Sequence, residues 1–235
     1  MTTLTIVIPC FNEKESLSDL IKNIKILNHK IKFIILENGS NDGSYEYLNK
    51  IKEELPSNIV VHFKKENTGY GSGVYEGLNK IQNSKYIGWI HGDLQFEFTK
   101  LNQTYVELKN IENKYRKVFY KGIRTGRSNT EKFISLMMGF IASLVLKEKF
   151  TEINAQPTIF SYDLLEKIDD PPNDFSFDTY VYWLALKNDY KNIRKNFEFP
   201  PRVYGNSKWN FGIKSRLIFG INLFKYFLEL RIKPY

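Results

Sequence analysis

The sequence predicts an α/β fold in which a mostly parallel sheet carries helices on both faces. Three observations lead there. Short β-branched and apolar runs alternate with segments whose apolar residues recur every three or four positions. Each of the first four runs ends in a polar stretch of Asn, Asp, Gly, Ser or their like. A chain of 235 residues at 42% hydrophobic and 26% charged is long enough, and apolar enough, for one large globular domain. Strands separated by helices are joined by right-handed crossovers, which makes them parallel.

In chain order, residues 4–8, 33–36, 59–63 and 86–90 read as strands. Residues 15–27, 44–51 and 74–81 between them have helical spacing, clearest in Leu17, Leu20, Ile21 and Ile24. The second half is less regular, with strands expected at 118–121 and 158–161 and helices near 102–111, 133–147 and 178–188. Asp170-Pro171-Pro172-Asn173-Asp174 is a loop, because two prolines remove two backbone donors and fix φ. Glu198-Phe199-Pro200-Pro201 is a second break. Residues 213–232 then read as a helix with Lys214, Ser215, Asn222, Lys225, Tyr226, Glu229 and Lys233 on one side. Its apolar arc, interrupted by Arg216 and Arg231, is wider than a small core buries and suits a partner surface. No repeat or Pro/Gly linker divides the chain, so residues 1–212 are expected as one domain. Residues 213–235 form a basic C-terminal helix of that domain or of a membrane interface.

A single cysteine, Cys10, excludes an internal disulfide and points to a reducing compartment. The start of the chain lacks the basic and long apolar regions of a secretory signal. The longest uncharged run, 133–146, falls short of the roughly 20 residues of a bilayer span. The formal net charge is +8, and residues 202–235 hold seven Lys/Arg against Glu229 alone, so most of the excess sits in the tail. Such a tail meets anionic lipid, nucleic acid or solvent, and composition does not choose among them.

Ligands of an open parallel sheet bind beyond the carboxyl ends of its strands. There the chain places Pro9-Cys10-Phe11-Asn12-Glu13, Glu37-Asn38-Gly39-Ser40-Asn41-Asp42-Gly43, Asn67-Thr68-Gly69-Tyr70-Gly71-Ser72-Gly73 and His91-Gly92-Asp93-Leu94-Gln95. The first strand is not followed by Gly-x-Gly-x-x-Gly, and no Gly-Lys-Ser/Thr loop occurs, which disfavours dinucleotide redox chemistry and P-loop phosphoryl transfer. Acids and amides suit a nucleotide whose diphosphate is held through a divalent metal. In an extended segment Asp93 and Gln95 would point the same way, a sparse oxygen site for Mg2+ or Mn2+, and His91 would share that face. The competing reading of Asp93 is a helix cap ahead of residues 96–101.

Pro9-x-x-Asn12-Glu13, Glu37-Asn38-Gly39-Ser40-x-Asp42-Gly43, Asn67-x-Gly69-x-Gly71 and Asp93-Leu94-Gln95 resemble the inverting nucleotide-sugar glycosyltransferases of family 2. The nearest branch is similar to dolichol-phosphate mannose synthase and the bacterial polyprenyl-phosphate glycosyltransferases. The resemblance continues through Lys121-Gly122-Ile123-Arg124, Asn154-Ala155-Gln156-Pro157 and Arg202-x-Tyr204-Gly205-x-Ser207-Lys208-Trp209. It implies a GT-A fold, a nucleotide-sugar donor and a divalent metal, Mg2+ or Mn2+. It places Pro9, Asn12, Glu13, Glu37, Asn38, Gly69 and Gly71 around the nucleotide and Asp93 and Gln95 on the metal. Arg124 and Arg202 then meet phosphates, with Gln156, Ser207 and Lys208 nearby. Two positions depart from the family pattern: Asn38 and His91 stand where it has acids.

With an activated donor, the metal and Arg124 stabilise charge on the departing diphosphate. A polyprenyl phosphate acceptor needs no general base. A saccharide hydroxyl does, and Glu152 and Asp178 are the candidates. The polyprenyl phosphate transferase is the leading expectation. The alternatives are transfer to a saccharide in surface-polysaccharide synthesis and a non-catalytic nucleotide-sugar binder, which the loss of an acid at His91 would suit. Residues 133–146 are either a buried helix or, with the helix at 213–232, a contact with the cytoplasmic face of a membrane; a contact with a second copy would suit the same pattern. Nucleic acid is not expected as a partner.

Overall fold

The computed structural model describes residues 2–201, 204 and 213–232. Strand β1 (Thr2–Cys10) leads through α1 (Lys14–Lys25) to β2 (Ile31–Asn38), and α2 (Ser44–Ile51) leads to β3 (Ile59–Lys64). Helix α3 (Tyr70–Asn79), β4 (Ser84–Trp89), α4 (Lys100–Ile111) and β5 (Val118–Thr125) follow. The chain continues through α5 (Asn129–Leu146), β6 (Thr158–Ser161), α6 (Ser176–Lys187), β7 (Lys191–Glu198) and α7 (Ile213–Ile232).

The seven strands form one sheet in the order β3-β2-β1-β4-β6-β5-β7. The β1–β2, β1–β4, β2–β3 and β5–β7 pairs are parallel; β6 runs antiparallel to both β4 and β5. One reversed strand between β4 and β5 leaves those two pointing the same way. The carboxyl ends of β1, β2, β3, β4, β5 and β7 therefore share one edge, and the residues entering β6 return to it. The fold thus brings together every polar segment that the sequence put after a strand.

Side-chain alternation along β1 explains the two helical layers. Val7 faces a core with Val74 and Leu78 of α3, Ala142 of α5, Phe177 and Trp183 of α6 and Leu223 and Phe227 of α7. Its neighbours Ile6 and Ile8 face the other core, with Leu17 and Leu20 of α1, Leu48 of α2 and Leu101 and Leu108 of α4. Both faces of the central strands are covered, as parallel sheets require. Each fully buried Leu or Ile contributes roughly 2 kcal/mol of transfer free energy.

Three elements differ from the sequence reading. β7 was not expected, because Lys191, Arg194, Lys195 and Glu198 break the apolar pattern; as an edge strand with Phe197 alone fully buried, it carries charge on both faces. Helix α3 starts at Tyr70, so Gly71 and Gly73 lie in its first turn and not in a loop. Helix α5 starts four residues before the uncharged run, at a capping box in which Ser128 Oγ accepts from Glu131 N and the Glu131 carboxylate accepts from Ser128 N. At 18 residues, α5 is long and apolar enough to cross a membrane by length and composition, although the sequence run alone is too short. Its face of Ser135, Gly139, Ala142, Val145 and Leu146 is nonetheless packed into the protein.

Candidate active site

The loops after β1 and β2 are laced together by short polar side chains. Asn12, with φ of 56°, accepts from Asn41 N through Oδ1 (3.0 Å), and its own N donates to Ser40 Oγ (3.0 Å). Glu13 N donates to Ser44 Oγ (3.2 Å) and Lys14 N to Asp42 Oδ2 (3.0 Å). Pro9 lies within β1 opposite Leu36. Glu37 is completely buried, and its two carboxylate oxygens accept from Ser40 N (2.7 Å) and Gly39 N (3.2 Å). This carboxylate, expected at a base or ribose, thus also holds the backbone of its own loop.

Asn38 joins this loop to the next through Nδ2, which donates to the Gly69 carbonyl at 3.1 Å; its buried Oδ1 has no partner. Gly69 has φ of +108°, a backbone conformation L side chains rarely adopt, and a side chain there would strike the Asn173 carbonyl. A side chain on Gly71 would strike the Pro172 carbonyl, and Gly71 N donates to Asn173 O at 2.7 Å. The close backbone approach at both glycines is therefore to the two-proline loop 170–174.

The segment after β4 is pinned at three points. Gln156 Oε1 accepts from His91 N at 2.6 Å, Ser16 Oγ donates to the Gly92 carbonyl at 3.4 Å, and Gln95 Nε2 donates to the Pro200 carbonyl at 3.4 Å. Leu94 has φ of 58°, and Asp93 Oδ1 accepts from Gln95 N at 3.2 Å. The segment is thus an Asx turn and not extended, so the alternation expected for Asp93 and Gln95 does not apply. Nor does Asp93 cap a helix, since α4 starts at Lys100 after Thr99. His91 Nε2 lies 2.8 Å from the Tyr70 hydroxyl, which accepts from Trp89 Nε1 at 2.9 Å, and Tyr70 stacks on Phe175 at 4.3 Å. Burial lowers the His91 pKa, against the pull of Asp93.

At the end of β5, Arg124 donates through Nε to Glu152 (2.8 Å) and through Nη2 to Ser135 Oγ (3.1 Å). Arg127 donates to the other oxygen of Glu152 and, at 2.8 Å, to the same Ser135 hydroxyl. Two guanidiniums thus share one carboxylate, and the cluster keeps a net positive charge. Glu152, a candidate base, is occupied by this pairing. Arg127 and Ser135 were not singled out in the sequence; the one signal for Arg127 is its three-residue spacing from Arg124 at a strand end.

Behind this edge lies a buried pair. Lys121 Nζ donates to Thr158 Oγ1 (2.7 Å) and the Ala155 carbonyl (3.0 Å) and lies 4.0 Å from Asp178 Oδ1. Burial pushes the Lys121 pKa down to about 7 and that of Asp178 up, the latter opposed by Lys121. Asp178, the second candidate base, is 1% exposed. Arg202, Ser207 and Lys208 lie outside the described residues, as do the side chains of Lys214, Ser215 and Arg216. Tyr204, between them, donates to Asp19 Oδ2 of α1 at 2.7 Å. It lines a cavity of about 480 Å³ with Leu94, Phe96 and Phe98, adjacent to the Asp93 turn.

One sheet edge carrying the loops of six strands, with a carboxylate turn after β4 and arginines after β5, defines a glycosyltransferase of the GT-A fold. Solved structures share the architecture. Glucosyl-3-phosphoglycerate synthase from Mycobacterium tuberculosis, crystallised with Mn2+, UDP and glucosyl-3-phosphoglycerate, matches with a TM-score of 0.68 at 14% identity, over 97% of this chain and 80% of that one. The mannosyltransferase PcManGT from Pyrobaculum calidifontis, in complex with GDP-Man and Mn2+, matches with a TM-score of 0.61 at 14% identity, over 86% of this chain and 58% of that one. The profile of Glycosyl transferase family 2 matches residues 5–168, and the chain belongs to that family. A curated relative, undecaprenyl-phosphate 4-deoxy-4-formamido-L-arabinose transferase of Yersinia enterocolitica, is 33% identical over 96 residues, 39% of this chain. The same enzyme of Pseudomonas savastanoi is 30% identical over 96 residues. The matched region is 29% and 28% of those relatives' lengths.

Proposed function

We propose that this glycosyltransferase moves a sugar, with inversion, from a nucleotide-diphosphate donor to a polyprenyl phosphate at the cytoplasmic face of a membrane. One juxtaposition carries the reading. Ser135, which binds both Arg124 and Arg127, sits on α5, whose outer face presents Phe133, Leu136, Phe140 and Leu144 at 62–68% exposure. A cationic cluster at the foot of an exposed apolar stripe suits a ligand with a phosphate head and a hydrocarbon tail. The curated relatives take their name from undecaprenyl phosphate.

On the donor side, the interlaced Asn12, Glu13 and Asn38 loops form the wall toward the nucleotide. Among the described residues no three His, Cys, Asp or Glu side chains converge to hold a metal. The family resemblance assigns the metal to Asp93 and Gln95, oxygen donors of the kind that suit an Mg2+ or Mn2+ ion held mostly by substrate phosphates. Such an ion neutralises charge on the departing diphosphate. Arg124 and Arg127 orient the acceptor phosphate, and Arg202, Ser207 and Lys208 are assigned to phosphates by the family resemblance. A phosphate oxygen is ionised at neutral pH and needs no general base. A lipid phosphate therefore agrees with a site whose Glu152 is tied to two arginines and whose Asp178 is buried beside Lys121.

Labelled UDP- and GDP-sugars offered with undecaprenyl phosphate and, separately, with saccharides test this. Lipid-linked product is expected, reduced about a hundredfold by Arg127→Ala. Product with a saccharide alone rejects the lipid acceptor.

A further inference from the structure

We propose that Glu152 is a specificity-determining residue, a fixed counter-charge that fits the Arg124–Arg127 cluster to a lipid with one phosphate and turns away a lipid diphosphate. The inference rests on the acceptor reading above and concerns how that site chooses its headgroup.

Charge is the first part of the argument. Two guanidiniums against one carboxylate leave the cluster with a single net positive charge. A phosphate monoester carries about −1.5 to −2 at pH 7. Sugar transfer turns it into a diester with one negative charge, so the cluster holds the substrate more tightly than the product. A diphosphate brings at least one further negative charge and sets it near the Glu152 carboxylate. The side chains of Arg124, Arg127 and Glu152 are 13%, 5% and 15% exposed, so water and salt screen that repulsion little. Without Glu152 the arginines would present two uncompensated charges, the better match for a diphosphate.

A counter-charge that swings aside discriminates nothing, and Glu152 is held by its backbone as well as by its partners. Arg194 Nη2 donates to the Thr151 carbonyl at 2.9 Å, and Ala155 N donates to the Glu152 carbonyl at 3.1 Å. Glu152 itself has φ of 49°, in the left-handed region that glycine would occupy without strain. Both carboxylate oxygens accept from guanidiniums, Oε2 from Arg124 Nε at 2.8 Å and Oε1 from Arg127 Nη2. The site therefore uses the charge of Glu152 and not its basicity. Each guanidinium has five N–H groups and uses two of them on Glu152 and Ser135, which leaves donors on both arginines for a phosphate.

Binding of geranyl phosphate and of geranyl diphosphate to the full chain tests this, in EDTA so that no metal draws the diphosphate to the nucleotide site. Wild type should bind the diphosphate no more tightly than the monophosphate, despite its extra charge. A preference for the diphosphate of about tenfold or more overturns the proposal without any variant. Glu152→Gln should raise the ratio of diphosphate to monophosphate affinity about tenfold, the effect of deleting one poorly screened charge near the added phosphate. Glu152→Asp keeps the charge and should leave the ratio within about threefold of wild type. A merely structural role, or a role as general base, would leave the ratio unchanged in Glu152→Gln, and that result overturns the proposal. Arg127→Ala locates the ligands and should weaken both about tenfold or more. If it weakens neither, the acceptor reading fails and this inference with it, a result distinct from an unchanged ratio.

Discussion

Lys121 shows how a single buried charge can organise a site it does not face. Its ammonium is cut off from water and spans three elements: its own strand β5, the Ala155–Thr158 segment entering β6, and Asp178 on α6. That segment includes Gln156, which holds His91 N, so the cation stands two contacts from the Asp93 turn. Burial disfavours the charged form of both partners, and each relieves the cost of the other. Removing one partner should therefore be worse than removing both. Lys121→Met is expected to destabilise the fold by about 3 kcal/mol, and the added Asp178→Asn to restore at least half of that. Denaturant unfolding of the two single variants and the double one measures the coupling. Additive effects would show that Lys121 and Asp178 act separately.

Among the elements, those with a clean apolar period were legible and those shaped by their neighbours were not. β1, β2 and β4 are buried on both faces and read as apolar runs, and the edge strand β3, with Ile59 buried, reads as one too. α1 shows its period because one face is buried and the other solvated. β7 escapes the pattern since an edge strand needs no apolar face, and α3 starts early because Gly71 and Gly73 suit close packing against the 172–174 carbonyls and Asn38 as well as they suit a turn. The same limit applied to the site. The loop after β4 announced Asp93 and the family resemblance Arg124, and Arg127 carried only its spacing from Arg124; the bonds of Tyr70 to His91 and of Ser135 to both arginines are tertiary contacts, which no local spacing encodes. Gly122, in a motif the sequence did single out, owes its identity to such a contact. A side chain there would collide with the Gln156 carbonyl, while Gly122 N donates to Pro157 O at 3.1 Å. Gly122→Ala should then spread β5 from the segment entering β6, costing about 2 kcal/mol in thermal or denaturant unfolding. Nucleotide affinity should fall as well, because Gln156 moves with its backbone. An unchanged unfolding midpoint would mean that the segment yields without strain.

At the scale of the whole molecule, apolar exposure and positive charge coincide. The outward stripe of α5, Phe133, Leu136, Phe140 and Leu144, lies on a helix packed against α7, where Arg231 Nη1 donates to the Val145 carbonyl at 2.8 Å. α7 buries Leu223, Phe227 and Leu230 and exposes Ile221, Phe224, Leu228 and Ile232, again at helical spacing. Lys132, Lys147 and Lys225 are exposed on these two helices or at their ends, in a chain of formal net charge +8. Singly exposed apolar residues are common on protein surfaces, but two adjacent stripes of four are not. An anionic bilayer would satisfy both features, with the rings in the interface and the lysines at headgroups. Binding to phosphatidylglycerol-containing vesicles should therefore exceed binding to neutral ones and weaken with salt. Phe133→Ser with Phe140→Ser should reduce vesicle affinity about tenfold or more, because even partial transfer of two rings from water exceeds 1.4 kcal/mol. Co-sedimentation at two ionic strengths measures both effects, with circular dichroism to show that the variant is folded. Unaltered vesicle binding by the double variant, or a dimer in sedimentation velocity that the same two substitutions dissociate, would assign the stripes to contact between copies of the chain.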